Sequence, residues 1–319
     1  MAEHKEEQNK TGVMEFILLG FPGSQSLQMS IFMSFLMMYI LTVWGNVAII
    51  ILVTTNTQFH TPMYFFLGNL SFLEIWYTTA SIPKILAIFL GSSRGVSFAG
   101  CIVQFYFIFS FGCTEQLLLS VMAYDRYLAI CYPLHYRTIM NFSLSSKLAL
   151  SCWLVGFLVI SVPTYFITTL SFCGSNVINN FYCNIDSWIV LSCSDTHIIE
   201  MAAFVIALIV VVSSCTVTLC SYICIISTIL HIPSTKGQQK AFSTCSSHLA
   251  LLIMWYGSSI FLFVKPSKHV ALEVNKMVSI LCLIVVPLLN PFVYTLRNKE
   301  VKGALRQFLQ YFGRKLYVK

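Results

Sequence analysis

Charge is scarce in this sequence: 10% of its 319 residues are Asp, Glu, Lys or Arg, whereas 57% are apolar. A soluble domain carries roughly 25% charged residues, so this chain lacks the charged surface that keeps a globule of its size in water. The composition therefore excludes a soluble enzyme and a disordered protein. Glycine and proline are also few, at 15 and 9 residues, which excludes a collagen-like or proline-rich chain.

Long apolar runs make up most of the chain, and a membrane-spanning helix needs about 20 mainly apolar residues. Seven runs have this length, and we number them spans 1 to 7. They are Met29 to Val53, Pro62 to about Leu90, about Ala99 to Met122, Leu148 to Leu170, Ile199 to Leu230, Ala241 to Val264, and Val274 to Leu296. The runs are continuous, whereas the strands of a membrane barrel alternate apolar and polar residues. The sequence predicts an all-α membrane protein with a seven-transmembrane helix bundle.

Positive charge is distributed unevenly about these spans. If the N-terminus is outside, the inner segments carry only two acids, Asp125 and Glu300. They carry many basic residues: Arg126, Arg137, Lys147, Lys236, Lys240 and seven more between Arg297 and Lys319. Because Lys and Arg favour the cytoplasmic side, the N-terminus is predicted to be extracellular. The net charge of +7 is then an orientation signal, and no nucleic-acid partner is expected.

The segment after span 7 changes character. Its apolar residues recur at helical spacing and its basic residues fall elsewhere on the helical wheel, which predicts a short amphipathic helix at the inner membrane surface. A solvated tail helix is the alternative. The apolar positions are Val301, Leu305, Phe308, Leu309 and Phe312. The predicted parts of the chain are an extracellular tail (1–28), a seven-transmembrane domain (29–298), and a cytoplasmic amphipathic helix and tail (299–319).

Short motifs near the span ends point to a family. They are Gly45-Asn46 in span 1, PMYFFL (62–67) opening span 2, MAYDRYLAIC (122–131) closing span 3, Ser221-Tyr222 in span 5, KAFSTCSSHL (240–249) opening span 6, and PLLNPFVY (287–294) ending span 7. Together they resemble an odorant (olfactory) receptor, within the rhodopsin-like (class A) G-protein-coupled receptors, over nearly the whole chain. The pattern is more similar to the tetrapod-type class II subgroup than to the fish-like class I subgroup.

The resemblance implies a sensory function and a set of partners. A small-molecule odorant would bind among the outer halves of spans 3, 5, 6 and 7. The receptor would then activate a heterotrimeric stimulatory (olfactory-type) G protein and raise cyclic AMP. It would lie in the plasma membrane of olfactory cilia, in contact with membrane lipid; the sequence does not decide whether it needs a trafficking chaperone. No P-loop, GxSxG or HExxH motif occurs, so no enzyme activity is expected.

The candidate ligand-binding residues are mostly apolar with a few neutral donors, a composition typical of small-molecule sites. They contain no Lys or Arg to pair a carboxylate, so the expected ligand is a small, uncharged, mainly apolar volatile. The set is Gln104, Phe105, Ile108, Phe109, Gly112 and Cys113 in span 3, with Ile206, Val210, Tyr256, Ser259, Phe263 and Ile280 in spans 5 to 7 by resemblance.

The resemblance also implies a switch at the inner ends of the spans. Asp125 would hold Arg126 in the inactive state and release it toward the G protein; a local ion pair or an arginine that reaches to the interface are the structural alternatives. Asn290-Pro291 frees backbone groups and predicts a bend point or a static kink. The candidate coupling residues are Asp125, Arg126, Tyr127, Tyr222, His248, Asn290, Pro291 and Tyr294.

Two acids, Glu74 and Glu115, fall inside the apolar runs. Ionisable residues within the membrane are costly and are functional candidates for that reason. Their positions resemble the receptor sodium pocket, so the pair is expected to hold Na⁺ or to share a proton. A single protonated carboxyl hydrogen-bonded to a neighbour is the structural alternative. No other cofactor is expected.

Four of the 12 cysteines fall on the outer side, in an oxidising compartment where disulfides persist. Four cysteines allow three pairings, and the resemblance selects Cys101–Cys183 and Cys173–Cys193. Asn9-Lys10-Thr11 in the outer tail is a glycosylation sequon. The sequons at Asn69 and Asn141 fall in a span and inside the cell, so they are expected to stay unmodified.

Two other functions are alternatives for a chain of seven spans. A small transporter or channel would need internal repeats or a polar track through the membrane, and it would leave the inner motifs unexplained. A non-olfactory class A receptor for an amine would place an acid about two turns into span 3. That stretch reads Phe107-Ile108-Phe109, which argues against an amine ligand.

Overall fold

The structure of this protein is a computed structural model that describes residues 15–21, 23–92, 94–231, 234–264, 271–296 and 301–303. Within the helices, the side chains at 236–237, 240–245, 247–248, 263–264, 271–273 and 294–296 lie outside the described part.

Seven long helical segments form the predicted bundle. They are α1 (Gln25–Thr55), α2 (Pro62–Phe89), α3 (Phe98–Cys131), α5 (Phe142–Thr168), α7 (His197–Leu230), α8 (Thr235–Val264), and a seventh composed of α9 (Ala271–Ile280), a π-helical turn (Leu281–Val285) and α10 (Val286–Leu296). Short helices α4 (Tyr136–Ile139) and α6 (Ile185–Leu191) lie in loops, and Thr57–Phe59 forms a 3-10 turn. Among the described residues, α1, α3, α5, α7 and Val274–Val293 are long and apolar enough to cross a membrane by length and composition alone.

The helices extend beyond the apolar runs that predicted them. α3 continues nine residues past the predicted end at Met122, to Cys131, and α5 begins at Phe142 rather than Leu148. Hydropathy marks only the part of a helix that lies in hydrocarbon, whereas backbone hydrogen bonds and caps set its ends. Asn141 caps α5 by accepting from the Leu144 N–H. Likewise, α1 begins at Gln25, inside the stretch 1–28 predicted as tail.

α3 lies at the centre of the bundle, packed against α2, α5 and α7, while α10 packs against α1 and α8. Two glycines allow close approach of helices. A Cβ atom on Gly156 would lie 2.1 Å from the Thr114 side chain and 2.9 Å from the Thr114 backbone nitrogen. A Cβ on Gly45 would lie 3.1 Å from Pro291. Small residues at such contacts let helix backbones approach within a membrane.

The seventh helix is irregular, as the Asn290-Pro291 pair predicted, but its irregular turn lies earlier in the chain. The π-helical turn ends at Val285, and Pro291 sits inside α10. π-turns are rare and occur frequently at functional sites.

A small three-stranded sheet covers the outer side and was not anticipated by the sequence analysis. Strand β1 (Glu15–Leu18) pairs antiparallel with β2 (Gly95–Ser97) and parallel with β3 (Val177–Ile178). Phe16 and Leu18 are buried while Glu15 and Ile17 are exposed, the alternation expected of a half-buried strand. Phe16 stacks edge-on against Phe172, with ring centroids 5.2 Å apart. The sheet thus ties the N-terminal segment to the loops before α3 and α7.

The predicted inner amphipathic helix lies mostly outside the described residues. Only residues 301–303 are described; they are helical, and Val301 is buried.

Candidate functional site

The outer half of α3 presents one continuous face to the bundle. Cys101, Phe105 and Ile108 are buried on it, and Phe109 and Gly112 are half-buried. Their spacing of three and four residues places them on the same side of the helix. This is the face that the sequence predicted as the α3 wall of the ligand site.

The loop between α5 and α7 is fastened over this face by covalent and polar contacts. Cys101 is disulfide-bonded to Cys183, and Cys173 to Cys193, which is the pairing implied by the family resemblance. The Cys183 backbone N–H donates to Gln104 Oε1 at 3.2 Å. The Gln104 amide also donates to the Ala80 carbonyl of α2 at 3.4 Å. Gln104 was predicted to contact ligand, but both ends of its amide bind the protein, so it positions the loop.

Trp188 is the loop residue that lies against the α3 face, and the sequence analysis missed it. It sits in α6, which begins two residues after Cys183 with an Asn184 cap. Its ring centroid lies 5.2 Å from that of Phe105, and the Phe105 ring lies 4.5 Å from that of Phe109. Its indole nitrogen is buried without a hydrogen-bond partner among the described residues.

The other predicted wall residues come from α7, α8 and α9. Val210, Tyr256 and Ser259 are buried, and Ile206 and Ile280 are half-buried. The Tyr256 hydroxyl pairs with that of Thr218 at 3.1 Å, so it is already engaged within the protein. The Phe263 side chain lies outside the described part.

Two residues of the α3 wall border the deeper part of the bundle. Cys113 is half-buried. Among the described residues, a Cβ atom on Gly112 would meet the Tyr77 hydroxyl, at 4.0 Å. That distance is an ordinary van der Waals contact, so a side chain added at Gly112 would occupy the space beside Tyr77.

The loop is also fastened to the seventh helix. Lys276 is buried at the outer end of α9, where its Nζ donates to Asn179 Oδ1 at 2.9 Å and lies 3.5 Å from the Gly20 carbonyl. The same amine lies 5.7 Å from the Phe21 ring centroid. One turn further along, the hydroxyls of Tyr182 and Ser279 pair at 3.1 Å. These contacts join the N-terminal segment, the loop and α9.

The two intramembrane acids meet as predicted, together with Asn290. Glu74 of α2 and Glu115 of α3 are fully buried. The Asn290 amide donates to Glu74 Oε1, and lies 3.4 Å from Glu115 Oε1. Within the described residues, three buried oxygens here have no hydrogen-bond partner: Glu74 Oε2, Glu115 Oε2 and Asn290 Oδ1. Hard cations bind carboxylate and amide oxygens, so this donor set fits Na⁺.

At the inner end of α3 the expected Asp125–Arg126 lock is not formed. Asp125 is buried and accepts a hydrogen bond from the Tyr136 hydroxyl of α4 at 2.7 Å. Arg126 is half-buried and makes no ion pair with the described part of the chain; its Nη2 is buried without a partner. A carboxylate that accepts a phenol hydroxyl from the loop leaves its neighbouring guanidinium available to another acceptor.

The remaining coupling residues are only partly described. Tyr127 is half-buried beside Arg126, and Tyr222 is buried in α7. Near this end, Cys131 Sγ lies 3.1 Å from the Thr228 hydroxyl, which joins α3 to α7. The side chains of His248 and Tyr294 lie outside the described part, as does the predicted glycosylation site Asn9.

Comparison with known proteins identifies the family. The olfactory receptor family model matches residues 35–311. The chain belongs to the olfactory receptor family. It is 61% identical over 297 residues to olfactory receptor 6F1 of Homo sapiens, covering 93% of this chain and 96% of that protein. It is 57% identical over 300 residues to olfactory receptor 287 of Rattus norvegicus (94% and 96% covered), and 50% identical over 302 residues to olfactory receptor 6B1 of Homo sapiens (95% and 96% covered).

Membership confirms the main sequence-based predictions. This olfactory receptor is a class A, seven-transmembrane, multi-pass membrane protein that is not an enzyme. It functions as an odorant receptor, with an odorant as ligand and a G protein as partner.

Proposed function

We propose that this receptor binds a small, uncharged, mainly apolar odorant between the outer halves of α3, α7, α8 and the seventh helix. The observation that carries the proposal is the buried apolar face of α3, from Phe105 to Gly112, enclosed beneath a loop held by two disulfides. Binding would come mostly from burial of apolar surface, at about 25 cal/mol per Å².

Odorant binding would act on the inner end of the bundle by shifting a conformational equilibrium. A ligand that binds the active conformer more tightly raises its population. At the inner end, the unpaired Arg126 Nη2 would donate to carbonyls at the end of a G-protein helix, since a guanidinium offers several donors in fixed geometry. The partner would be a stimulatory G protein, so cyclic AMP would rise.

The proposal includes orientation and location. The basic residues of the inner segments favour an extracellular N-terminus, with β1 and the disulfides on that side. The receptor would reside in the plasma membrane of olfactory cilia, surrounded by membrane lipid. A trafficking chaperone is a further partner that we propose for this receptor. Comparing surface expression of the receptor in cells with and without the chaperone tests this.

Glu74, Glu115 and Asn290 would hold Na⁺ through the three unpartnered oxygens and so favour one conformer. Replacing either acid by Gln should alter basal cyclic AMP and abolish any sodium dependence of both basal activity and the thermal midpoint of the purified receptor. Glu200→Gln is the control, because Glu200 bonds Thr196 at the outer end of α7. Sodium-independent behaviour of the wild type would instead favour a shared proton.

The test of the odorant site is a cyclic AMP screen in transfected cells against a chemically broad odorant panel. A homologous series built on the best agonist is then applied to Gly112→Val, which fills the space beside Tyr77. One methylene is worth about 1–3 kcal/mol in an apolar pocket, so responses to the longest members should fall first, by roughly ten-fold or more.

Gly257→Val is the matched control, because Gly257 is exposed on α8 and a Cβ there meets nothing within 4 Å. Two results would overturn the site: best agonists that are carboxylates or polyamines, or unchanged potency across the series in both Gly112→Val and Phe109→Ala.

A further inference from the structure

The indole N–H of Trp188 is a buried hydrogen-bond donor that has no acceptor among the described residues. The Trp188 side chain is fully buried, and its Nε1 has no hydrogen-bond partner. Leaving a buried donor unpaired costs about 1–3 kcal/mol, and most buried polar groups avoid that cost by pairing. A buried donor that is unpaired in the free receptor is suited to bind a ligand that supplies a hydrogen-bond acceptor.

The contacts around Trp188 hold it in one place. The Cys101–Cys183 disulfide and the Cys183–Gln104 hydrogen bond fasten the start of its helix to α3. The ring then packs on Phe105, four residues after Cys101 and on the same face of α3. A donor on such a fixed support loses little conformational freedom when a ligand binds.

Three other donors among the candidate residues and the loop are already used by the protein. The Gln104 amide binds the Ala80 carbonyl, and the Tyr256 hydroxyl pairs with Thr218. The Tyr182 hydroxyl pairs with Ser279. Trp255 Nε1 on α8 is a second buried indole nitrogen without a partner among the described residues, but it is Trp188 that packs on the α3 face, against Phe105.

We propose that Trp188 is the hydrogen-bond donor that selects odorants with a neutral acceptor oxygen, namely aldehydes, ketones, esters or ethers. The inference rests on the proposed odorant site and names its ligand class. An indole N–H donates only, so alcohols would bind through their oxygen as acceptor. A carboxylate would be disfavoured, because burial of a charge without a paired cation is costly.

The decisive experiment compares matched ligand pairs in which a carbonyl or ether oxygen replaces a methylene of a hydrocarbon of the same length. In the wild type, the oxygenated member should be at least about ten-fold more potent, the worth of one buried hydrogen bond. Trp188→Phe removes the N–H and keeps an aromatic ring on Phe105. It should raise the EC50 of the oxygenated member about ten-fold and leave that of the hydrocarbon unchanged.

Two further variants separate this role from general packing. Trp188→His restores a ring N–H and should recover part of the preference for the oxygenated ligand. Trp76→Phe is the matched control, because Trp76 is half exposed on α2 and its loss should leave both ligands unaffected. Surface staining of each variant reports folding.

The outcomes distinguish the inference from the proposed function. Wild-type receptor that responds equally to both members of a pair overturns the inference whatever the variants do. So does Trp188→Phe at normal surface level with the preference intact, and in both cases the odorant site stands. Absence of any wild-type response to the whole panel would overturn the proposed site, and the inference with it.

Discussion

The two ends of α3 are held by very different means. At the outer end, a disulfide with a Cα–Cα distance of 5.5 Å, a hydrogen bond to Gln104 and the Trp188 ring fasten the helix to its loop. At the inner end, the contacts are one hydrogen bond from Tyr136 to Asp125 and the Cys131–Thr228 contact with α7, and the Arg126 Nη2 has no partner among the described residues. The outer end therefore keeps one geometry for a ligand, whereas the inner end can exchange partners.

This difference matches the two tasks of a receptor. A ligand shifts an equilibrium only through its differential affinity for two states, and an odorant at the proposed outer site would spend little binding energy on ordering the fastened loop. The inner end must differ between the states, and a contact worth a few kcal/mol or less can form and break within such an equilibrium. Substitutions that remove the contacts at each end of α3 in turn test this comparison.

The largest effect is expected from the Cys101–Cys183 disulfide. It closes a loop with a sequence separation of 82, against 20 for Cys173–Cys193, and loss of a native disulfide typically costs about 2–5 kcal/mol. Cys101→Ser, Cys183→Ser and the double variant should be equally poor in surface expression, because one bond is lost in each case. A double variant clearly worse than both single ones would refute the pairing.

The two disulfides close loops of different length, so the effects of losing each disulfide can be compared. Since chain entropy rewards longer loops more, Cys173→Ser should be less damaging than Cys101→Ser in the same flow-cytometry measurement. Cys220→Ser is the control, because Cys220 is a free, exposed cysteine. Equal damage from Cys220→Ser would show that the assay reports general loss of cysteine.

Arg126→Ala should abolish the cyclic AMP response while surface expression and odorant binding remain. Its guanidinium is needed only where the G protein engages. Arg137→Ala, on the exposed face of α4, is the matched control and should retain most of the response. A full response from well-expressed Arg126→Ala would exclude this role.

Tyr136→Phe should weaken coupling by a smaller amount. Without its hydroxyl, Asp125 is free to pair with Arg126, so maximal cyclic AMP should fall roughly two- to ten-fold, the range expected for one hydrogen bond. Tyr165→Phe is the control, as Tyr165 is exposed on α5, away from this contact. A wild-type response in Tyr136→Phe would mean that this bond does not influence Arg126.

The same bond predicts that coupling through Tyr136 is insensitive to mildly alkaline pH. Burial, and then the Asp125 carboxylate, raise the pKa of Tyr136 well above its usual value of 10.0. A raised pKa keeps the phenol protonated, so it remains a donor as pH rises from about 7 to about 9. G-protein nucleotide exchange with purified receptor should show no loss attributable to Tyr136 over that interval. A fall present in the wild type and absent in Tyr136→Phe would contradict it.

The smallest effect is expected from the outer contact of Lys276. Lys276→Met keeps the length of the side chain but removes the donor to Asn179, so the loop should open more readily. Agonist potency should fall about two- to five-fold, less than the full worth of a hydrogen bond, because the two disulfides still hold the loop. Lys276→Arg should retain most of the potency. Equal potency in both variants would show that the loop is held by its disulfides alone.

Sequence reasoning was most effective where one physical quantity dominates. The seven spans were predicted because about 20 apolar residues are needed to cross hydrocarbon. The meeting of Glu74 and Glu115 followed from the cost of acids in a membrane, together with the family resemblance. Asn290 was predicted as a bend residue, but its amide contact with both acids was not predicted, because it depends on how α10 packs against α2 and α3.

Sequence reasoning was weakest where a contact joins loops distant along the chain. The β1 strand pairs with segments near Gly95 and Val177, and four residues carry too little alternation to be recognised alone. Trp188 was missed because the residues around it in the sequence do not indicate that α6 packs against Phe105. Tyr136 was missed for the same reason, since its partner Asp125 appeared to have a nearer partner in Arg126.

The sequence by itself determined the membrane environment, the number of spanning helices and the family, because hydropathy and short motifs are local properties of the chain. Only the tertiary structure decided how the polar atoms are paired: Gln104 with the loop, Tyr256 with Thr218, and Asp125 with Tyr136. Hydrogen bonds depend on distances of a few ångströms between groups that the sequence separates by tens of residues. The Trp188 indole and the Arg126 guanidinium each keep a donor without a partner among the described residues, and these are the donors that we propose meet the odorant and the G protein.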